Sequence, residues 1–190
     1  MQGFAQESAD YEKYKKSLNY WDGYIIDKGG QKIEGLVKDL NEEKVAYQVV
    51  FVNKAGAKKK YKPSQIRGYG YSVYKYVSNS KIFLEVVSEG KRIGIYKALT
   101  ESINYGGLSG TAPMKSQSEG YYFKKTNEVV FFEFKAEAVN SIRLGKSKKV
   151  DKKLVEYFSD CESLKTRIAS GELTSNDYNK IAYHYNYDCQ

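Results

Sequence analysis

Residues 23–37, GYIIDKGGQKIEGLV, carry the hairpin pattern that decides the fold class. Two runs rich in β-branched and apolar side chains flank the tripeptide Lys28-Gly29-Gly30, where glycine permits a tight reversal of the chain. So short a turn predicts antiparallel pairing, because parallel strands need a crossover of about a dozen residues or more. The sheet is therefore expected to begin with a local hairpin.

The same alternation of strand runs and turn residues continues to residue 134. Further turns are predicted at 53–56, 78–80, 88–90 and 126–127, and a Gly- and Ser-rich loop is predicted over 101–118. Residues 69–77, YGYSVYKYV, are predicted as one strand. Closely spaced turns predict a curled antiparallel β-meander sheet or partial barrel of about eight or nine strands, rather than βαβ units.

Helical periodicity appears at both ends of the chain. An N-terminal helix is predicted over 8–18 with Ser8 as its cap, and three more helices are predicted over 147–158, 159–171 and 174–189. The predicted caps of the last three are Ser147, then Ser159 with Glu162, then Thr174 with Asp177. The short connection from Gly171 to Thr174 implies an antiparallel helical hairpin.

The predicted fold class is therefore α+β, with a C-terminal α-helical hairpin after the sheet. The predicted division is an N-terminal signal remnant with a short helix over 1–20, an antiparallel β domain over 21–140, and a helical region over 141–190 that packs on or beside it. A chain of 190 residues with 41% hydrophobic residues suits one folded domain with an appendage. No apolar run approaches 18 residues, so no transmembrane helix is predicted.

The charge of the chain is strongly basic, at +8, and comes mainly from lysine. The four arginines are Arg67, Arg92, Arg143 and Arg167. Specific recognition of phosphates and bases favours the bidentate arginine fork, so a lysine excess fits general solubility better than nucleic-acid binding.

The first residues, MQGFAQES, resemble the end of a secretory signal. Small side chains at Gly3 and Ala5 stand two residues apart and are followed by Gln6, as at a signal-peptidase cleavage point. This pattern predicts an exported chain from which the signal peptide is removed, and the alternative is an ordinary frayed terminus.

The two cysteines are predicted to face each other across the helical hairpin. Each belongs to an apolar stripe at helical spacing: Cys161, Leu164 and Ile168 in one helix, and Tyr178, Ala182, Tyr185 and Cys189 in the next. The start of one antiparallel helix lies near the end of its partner, so a Cys161–Cys189 disulfide is predicted. Two buried free thiols are the alternative.

His184, the single histidine, falls at a spacing of four from Lys180 and Asp188, on the polar face of its helix. It is therefore predicted to lie apart from Cys189, which disfavours a Cys–His catalytic pair or a metal site formed by Cys161, His184 and Cys189. No catalytic, metal-binding or cofactor-binding residue is predicted, and no cofactor is expected.

A surface-binding role is considered for tyrosines beside lysines. Lys58, Lys59 and Lys60 stand close in sequence to Tyr74 and Tyr76, and aromatic rings beside cations can bind single-stranded nucleic acid or sugars by stacking. Strand alternation over 69–77 predicts that Tyr69 and Tyr71 point inward while Tyr74 and Tyr76 are exposed. The alternative is a solvated hairpin tip beside a half-buried sheet face.

Two stretches together resemble exported β-rich proteins of Bacteroidetes-type bacteria. GYIIDKGGQKIEGLV with KKYKPSQIRGYG is similar to their "GYI…G…I.G.I" hairpin and "Y.P..I.GY" turn, although Gly30 stands where that family has an acidic residue. LVEYFSDCESLKTRI…YNKIAYHYNYDC is similar to their C-terminal helical pair. The family is a domain of unknown function, so the resemblance implies an exported location and the Cys161–Cys189 pairing and no catalytic residues.

These patterns favour an exported, non-enzymatic binding or structural module of the cell envelope, in the periplasm, on the envelope or secreted. An envelope protein or a polysaccharide is the partner considered, nucleic acid is disfavoured, and the oligomeric state is open. The first alternative is a hydrolase whose carboxylates come together only in the fold. The second alternative is a basic nucleic-acid-binding protein.

Overall fold

A computed structural model describes residues 7–40, 42–104, 114–134 and 151–189, without the side chains of 42–43, 100–104 and 114–118. Ten strands and five helices form in these ranges. The strands are β1 Tyr20–Ile26, β2 Lys32–Lys38, β3 Val49–Asn53, β4 Lys58–Tyr61, β5 Gly68–Tyr71, β6 Tyr74–Ser78, β7 Phe83–Ser88, β8 Ile93–Asn104, β9 Met114–Lys125 and β10 Phe132–Phe134. The helices are α1 Ala9–Lys15, α2 Glu42–Val45, α3 Lys152–Tyr157, α4 Glu162–Ala169 and α5 Tyr178–Tyr187.

The α+β fold class is confirmed. The strands form one open sheet in the order β10-β9-β8-β7-β6-β5-β1-β2-β3-β4, and the C-terminal helices follow the last strand in the chain. The predicted turns at Lys28–Gly30, 53–56, 78–80 and 88–90 all separate paired or successive strands. Among the described helices, none is long and apolar enough to cross a membrane.

One connection departs from a simple meander. Strand β5 pairs with β1, with Ile25 opposite Tyr69, instead of continuing from β4. A 3-10 turn at Pro63–Gln65 lies in the connection. Pro63 has no amide hydrogen to donate to a neighbouring strand, so the pairing ends before it. The return of the chain to β1 depends on long-range pairing that no local signal encodes.

Several predicted boundaries are wrong. Strand β8 extends to Asn104 and β9 starts at Met114, inside the span predicted as a loop, of which 105–113 lie outside the described residues. The last hairpin has a longer turn than predicted, so Val129 and Val130 are 89% and 75% exposed instead of belonging to a strand. Helix α4 is capped at Cys161 rather than at Ser159.

The chain divides into two compact units. Unit 1 comprises Met1–Val86 with Ala98–Glu119, and unit 2 comprises Val87–Lys97 with Gly120–Gln190.

Unit 1 packs apolar side chains on both faces of its strands. One face carries a cluster rich in aromatic rings: Ile25, Val37, Val49, Phe51, Ile66, Tyr69, Tyr71, Tyr76 and Phe83. The other face is covered in part by α1, whose Tyr11 packs on Leu36 of β2 and Val52 of β3. Helix α1 begins where predicted, because the Ser8 hydroxyl accepts a hydrogen bond from the Tyr11 amide at 3.1 Å.

Unit 2 builds its core between strands and the C-terminal helices. Phe123 and Phe134 stack with ring centroids 4.3 Å apart, and Phe158, Leu164, Ile181 and other helical side chains cover them. Helix α3 begins after Asp151, whose carboxylate accepts hydrogen bonds from the amides of Lys153 and Leu154. The predicted cap Ser147 lies outside the described residues.

The helical hairpin forms as predicted from Gly171 onward. Gly171 ends the α4 segment with φ of +75°, and Asp177 accepts a hydrogen bond from the Thr174 amide at 3.1 Å in a capping box. Cys161 and Cys189 stand at disulfide distance, with Cα atoms 5.5 Å apart and 28 residues between them in sequence.

Candidate functional site

A cleft of about 320 Å³ opens on unit 1, on the strand face that α1 partly covers. Its floor is formed by Gly23 of β1 and Gly35 of β2, which are direct partners in the antiparallel register. Side chains around this floor are aromatic or charged: Glu7, Tyr11, Asp22, Tyr24, Lys32, Glu34 and Lys54. The volume lies at the small end of the range typical of ligand sites.

The β1–β2 hairpin places most of the polar groups of the cleft. Asp22 and Tyr24 alternate with the buried Ile25 along β1, and Lys32 and Glu34 alternate with Gly35 along β2. Side chains two residues apart in a strand share a face. The predicted hairpin therefore brings four cleft side chains to one face.

Helix α1 supplies the remaining wall because it is tied to the end of β3. The Ser8 amide donates a hydrogen bond to the carbonyl of Lys54 at 3.1 Å, and Tyr11 is buried against Leu36 and Val52. Gly56, with φ of +83°, packs directly beneath this helix start, so a side chain there would strike Asp10. These contacts bring Glu7, Tyr11 and Lys54 to the cleft.

Tyr24 is held flat by its cross-strand partner, Gly70. A Cβ atom at Gly70 would lie 2.7 Å from the Tyr24 hydroxyl and 2.8 Å from its ring, so the ring uses the space that only glycine leaves. The Lys32 ammonium stands 4.6 Å from the centroid of this ring. At exposed sites such a cation–π contact contributes about 0.5–1 kcal/mol. An incoming ligand can replace this contact of Lys32 with the ring.

The charges of the cleft differ in sign from the charge of the whole chain. Three carboxylates, of Glu7, Asp22 and Glu34, face two ammonium groups, of Lys32 and Lys54, while the full chain carries +8. Lys32 pairs with Glu34 at 3.4 Å. A hydrogen bond with Glu12 and the nearby Lys15 ammonium lower the pKa of the Glu7 carboxyl.

The predicted surface residues do not line this cleft. Lys58, Lys59 and Lys60 are exposed on β4, the outermost strand at one end of the sheet. Lysine on an edge strand disfavours pairing with the edge of another sheet, so these three side chains have a structural role. Lys59 lies 4.7 Å from the ring of Tyr61, and Lys58 lies 5.5 Å from the ring of Tyr14.

The prediction that Tyr76 is exposed is wrong. Residues 69–77 form two strands joined at Ser72-Val73, so Tyr76 pairs with Tyr69 and Tyr74 pairs with Tyr71 on the same face. Tyr76 is 6% exposed and stacks on Tyr69 at 4.5 Å, and only Tyr74, at 46%, is open to solvent. Tyr69 and Tyr71 are buried as predicted.

The aromatic cluster around Tyr69 is a structural core. The Tyr69 hydroxyl donates to the carbonyl of Val45 at 3.1 Å, and the Tyr71 hydroxyl donates to Asp39 at 3.2 Å. Burial, and next the charge of Asp39, raise the pKa of Tyr71 to about 12. The hydroxyls of Tyr69 and Tyr71 are therefore used within the fold, and the cluster forms part of the core of unit 1.

Unit 2 contains a second polar group, centred on the buried side chain of Lys125. Its ammonium donates to the carbonyl of Tyr157 at 2.7 Å and to Asp160 at 2.9 Å, and it lies 4.6 Å from the ring of Tyr157. Tyr185 donates to the other oxygen of Asp160 at 2.5 Å. Burial acts to raise the pKa of Asp160, but the hydrogen bonds from Tyr185 and Lys125 lower it overall. Every partner is used within the fold, so this group stabilises unit 2.

His184 lies beside the cysteines, contrary to the prediction. Cys161, His184 and Cys189 each place one ligand atom within 4.8 Å of the others. Helix α5 ends at Tyr187, so Cys189 lies beyond the helix and does not follow its periodicity. The Cys189 amide instead donates a hydrogen bond to the His184 carbonyl at 3.2 Å. The two sulfurs are at bonding distance from each other, and a disulfide sulfur lacks the thiolate charge that holds Zn²⁺.

Comparison with known proteins gives no relative: no protein-family model, curated protein or solved structure matches this chain.

Proposed function

We propose that the protein is an exported, non-enzymatic binding module of the cell envelope that holds a neutral, hydroxyl-rich ligand, a polysaccharide segment, in the unit 1 cleft. The observation that carries this proposal is the cleft itself. An aromatic ring held flat by Gly70 stands among carboxylates and ammonium groups over a floor of paired glycines.

The mixture of charges selects the chemistry of the ligand. Carboxylates accept hydrogen bonds from hydroxyl groups, and ammonium groups donate to hydroxyl and ring oxygens, so a sugar can satisfy both sets of side chains. A phosphate-rich strand would approach the carboxylates of Glu7, Asp22 and Glu34 against repulsion. The cleft therefore favours a neutral polar ligand over nucleic acid.

Tyr24 provides the apolar part of the contact. The rings of tyrosine and tryptophan give large contact areas at low entropic cost, because few torsions must be fixed on binding. The C–H faces of a sugar ring can stack on Tyr24 after displacing the exposed Lys32 ammonium, which stays near enough to donate to a hydroxyl group.

One carboxyl of the cleft, that of Glu7, does not favour the hydrolase alternative. A glycosidase needs one carboxylic acid whose pKa is raised, so that it is protonated at working pH and can protonate the leaving group. The pKa of Glu7 is instead lowered by its hydrogen bond with Glu12 and by Lys15. We therefore infer a binding role rather than acid catalysis for Glu7.

Export is supported indirectly by the cysteine pair. Disulfides form and persist mainly in oxidising compartments, and Cys161 and Cys189 stand at disulfide distance. The resemblance of the hairpin and the helical pair to exported envelope proteins points in the same direction.

A glycan array tests the proposal. The intact protein should bind at least one class of neutral polysaccharide, and Tyr24→Ala should lose that signal because the stacking face is gone. Tyr74→Ala is the matched control, since it removes a half-exposed tyrosine of the same unit outside the cleft. Retention of binding by Tyr24→Ala, or loss of binding in Tyr74→Ala alone, would contradict the proposal.

A further inference from the structure

A cavity of about 280 Å³ lies in unit 2, lined by β8, by the turn before it and by the end of β9. Ile93 and Ile95 of β8 and Phe123 of β9 pack into the core that the C-terminal helices cover. Side chains alternate between the two faces along a strand, so Tyr96 and Lys124 belong to the opposite face. These two cavity side chains therefore lie on the strand face that the helices do not cover.

The hydroxyl of Tyr96 has no hydrogen-bond partner in the part of the chain that the structure describes. Tyr96 is only 8% exposed, and it lies against Gly94, where a Cβ atom would come 2.8 Å from the hydroxyl oxygen. Both residues line the cavity, so the hydroxyl is directed into it. A polar group withdrawn from bulk water without a partner costs free energy, and a ligand that accepts a hydrogen bond from Tyr96 recovers this cost.

Phe131 connects Tyr96 to an ammonium group. The rings of Phe131 and Tyr96 meet edge to face, with centroids 5.0 Å apart, and the Lys124 ammonium lies 5.2 Å from the centroid of Phe131. Within the described ranges, Lys124 forms no ion pair, whereas the ammonium of its neighbour Lys125 donates to Asp160 at 2.9 Å. Lys124 is therefore the cation of the cavity that can take up an anionic ligand.

Two donors at one cavity favour a carboxylate as the ligand group. A carboxylate accepts hydrogen bonds on both oxygens, and a phenol and an ammonium group can each donate one. Burial, and next the charge of Glu89, raise the pKa of Tyr96, so its hydroxyl keeps its proton and can donate. Glu89 also lines the cavity and repels a second negative charge on the ligand. A monocarboxylate therefore fits better than a dicarboxylate or a phosphate dianion.

We propose that this cavity of unit 2 binds a small organic monocarboxylate. The Tyr96 hydroxyl and the Lys124 ammonium each donate to a carboxylate oxygen, and Glu89 disfavours dianions. The site shares no lining residue with the unit 1 cleft, and it does not depend on the polysaccharide binding proposed there.

NMR titration of the intact protein, labelled with ¹⁵N, tests the site with two carboxylates and their uncharged amides. Sodium acetate or sodium benzoate should give saturable shifts centred on the amides of Gly94, Tyr96 and Lys124, whereas acetamide and benzamide should give none. Sodium succinate should bind about fivefold more weakly than the better monocarboxylate, because its second charge faces Glu89. Tyr24→Ala, which alters the unit 1 cleft, should leave these shifts unchanged.

Conservative variants separate the roles of the two donors. Tyr96→Phe keeps the ring against Phe131 and should weaken monocarboxylate binding about tenfold, because a hydrogen bond to a charged group is lost, and Lys124→Met should weaken it at least as much. Tyr183→Phe, at an exposed tyrosine of unit 2 outside the cavity, is the control and should bind as the parent does. Glu89→Gln should abolish the discrimination against succinate. Parental affinity in Tyr96→Phe or Lys124→Met, equal shifts from a carboxylate and its amide, or no saturable shift at this cavity would overturn the proposal.

Discussion

Single residues determine whether the unit 1 cleft can present its aromatic face. Tyr24 lies flat because Gly70 leaves no side chain beneath it, and the backbones of Gly23 and Gly35 line the floor of the cleft. The sequence predicts the hairpin that aligns Tyr24 with Glu34 in register, but it does not show that Gly70 stands opposite Tyr24. That pairing joins strands distant in the chain, which local turn signals cannot specify.

Gly70→Ala should weaken the binding of polysaccharide without unfolding unit 1. The added methyl group would lie 2.7 Å from the Tyr24 hydroxyl, so the ring must tilt away from its stacking position. We expect a loss of about fivefold in affinity, which corresponds to about 1 kcal/mol, measured by calorimetric titration. Gly120→Ala is the control, because Gly120 lies in unit 2, away from the cleft of unit 1. Its added methyl group would likewise meet a tyrosine, Tyr122, at 3.3 Å. Equal affinities for the two variants would contradict the role given to Gly70.

Lys125→Met should destabilise the protein. The substitution keeps a flexible side chain of similar length but removes the donor to the Tyr157 carbonyl and to Asp160. The partly buried carbonyl is then left without this hydrogen bond. We expect a loss of about 1–3 kcal/mol in the free energy of unfolding, measured by urea denaturation. Lys124→Met is the neighbouring control. A parental midpoint for Lys125→Met would show that the ion pair between the buried Lys125 and the half-exposed Asp160 contributes nothing.

At the level of elements, the glycine turn of the first hairpin and one capping box formed as predicted, whereas a turn without glycine was missed. The Lys28-Gly29-Gly30 turn and the Thr174–Asp177 capping box formed as predicted because each depends on a few neighbouring residues. The β5–β6 turn escaped detection because Ser72, not glycine, adopts the positive φ of 48° that it requires. The tyrosines after that turn were therefore assigned to the wrong face.

The buried tyrosines of the β5–β6 hairpin should make the protein sensitive to alkali. Burial raises the pKa of Tyr69, Tyr71 and Tyr76, and that of Tyr71 reaches about 12. An unfolded chain ionises these phenols near pH ~10, so their contribution to stability is complete below that pH and is lost as the pH rises toward about 12. Absorbance at 295 nm should show a late ionisation step that coincides with unfolding. A single step near pH ~10 in a folded protein would contradict this assignment.

The helical hairpin should depend on its cysteine pair. A cross-link with a sequence separation of 28 restricts the unfolded chain, and Cys189→Ser should therefore lower the free energy of unfolding by about 2–4 kcal/mol under oxidising conditions. In the presence of a dithiol reductant the parent and the variant should unfold alike. If the variant has the parental melting temperature without reductant, the two sulfurs are not joined.

For the whole molecule, the sequence predicted the class of fold but not the site. Four of the cleft side chains lie on the predicted β1–β2 hairpin, whereas Glu7, Tyr11 and Lys54 join them only because α1 docks on Leu36 and Val52. His184 was separated from Cys189 because helical periodicity was extended past the end of α5. Both errors come from contacts that depend on tertiary packing rather than on spacing along the chain.

The net charge of the chain should not produce specific binding to nucleic acid. The exposed lysines of β4 can attract phosphates, but this attraction is screened by salt and carries no base readout. In an anisotropy titration, we expect weak oligonucleotide binding at low salt that disappears at physiological salt. A variant with Lys58→Gln, Lys59→Gln and Lys60→Gln should lose this low-salt binding to the same extent. Sequence-selective binding at physiological salt would instead support the nucleic-acid alternative.

The location of the bound ligand tests the central claim most directly. The protein, labelled with ¹⁵N, is titrated with a soluble oligosaccharide of the class that the glycan array selects, and amide shifts are followed by NMR. The proposal predicts saturable shifts centred on Gly23, Tyr24 and Gly35, which weaken in Tyr24→Ala. Saturable shifts centred elsewhere, such as around Tyr74, or no shifts at any ligand concentration, would contradict the claim that this cleft binds a polysaccharide.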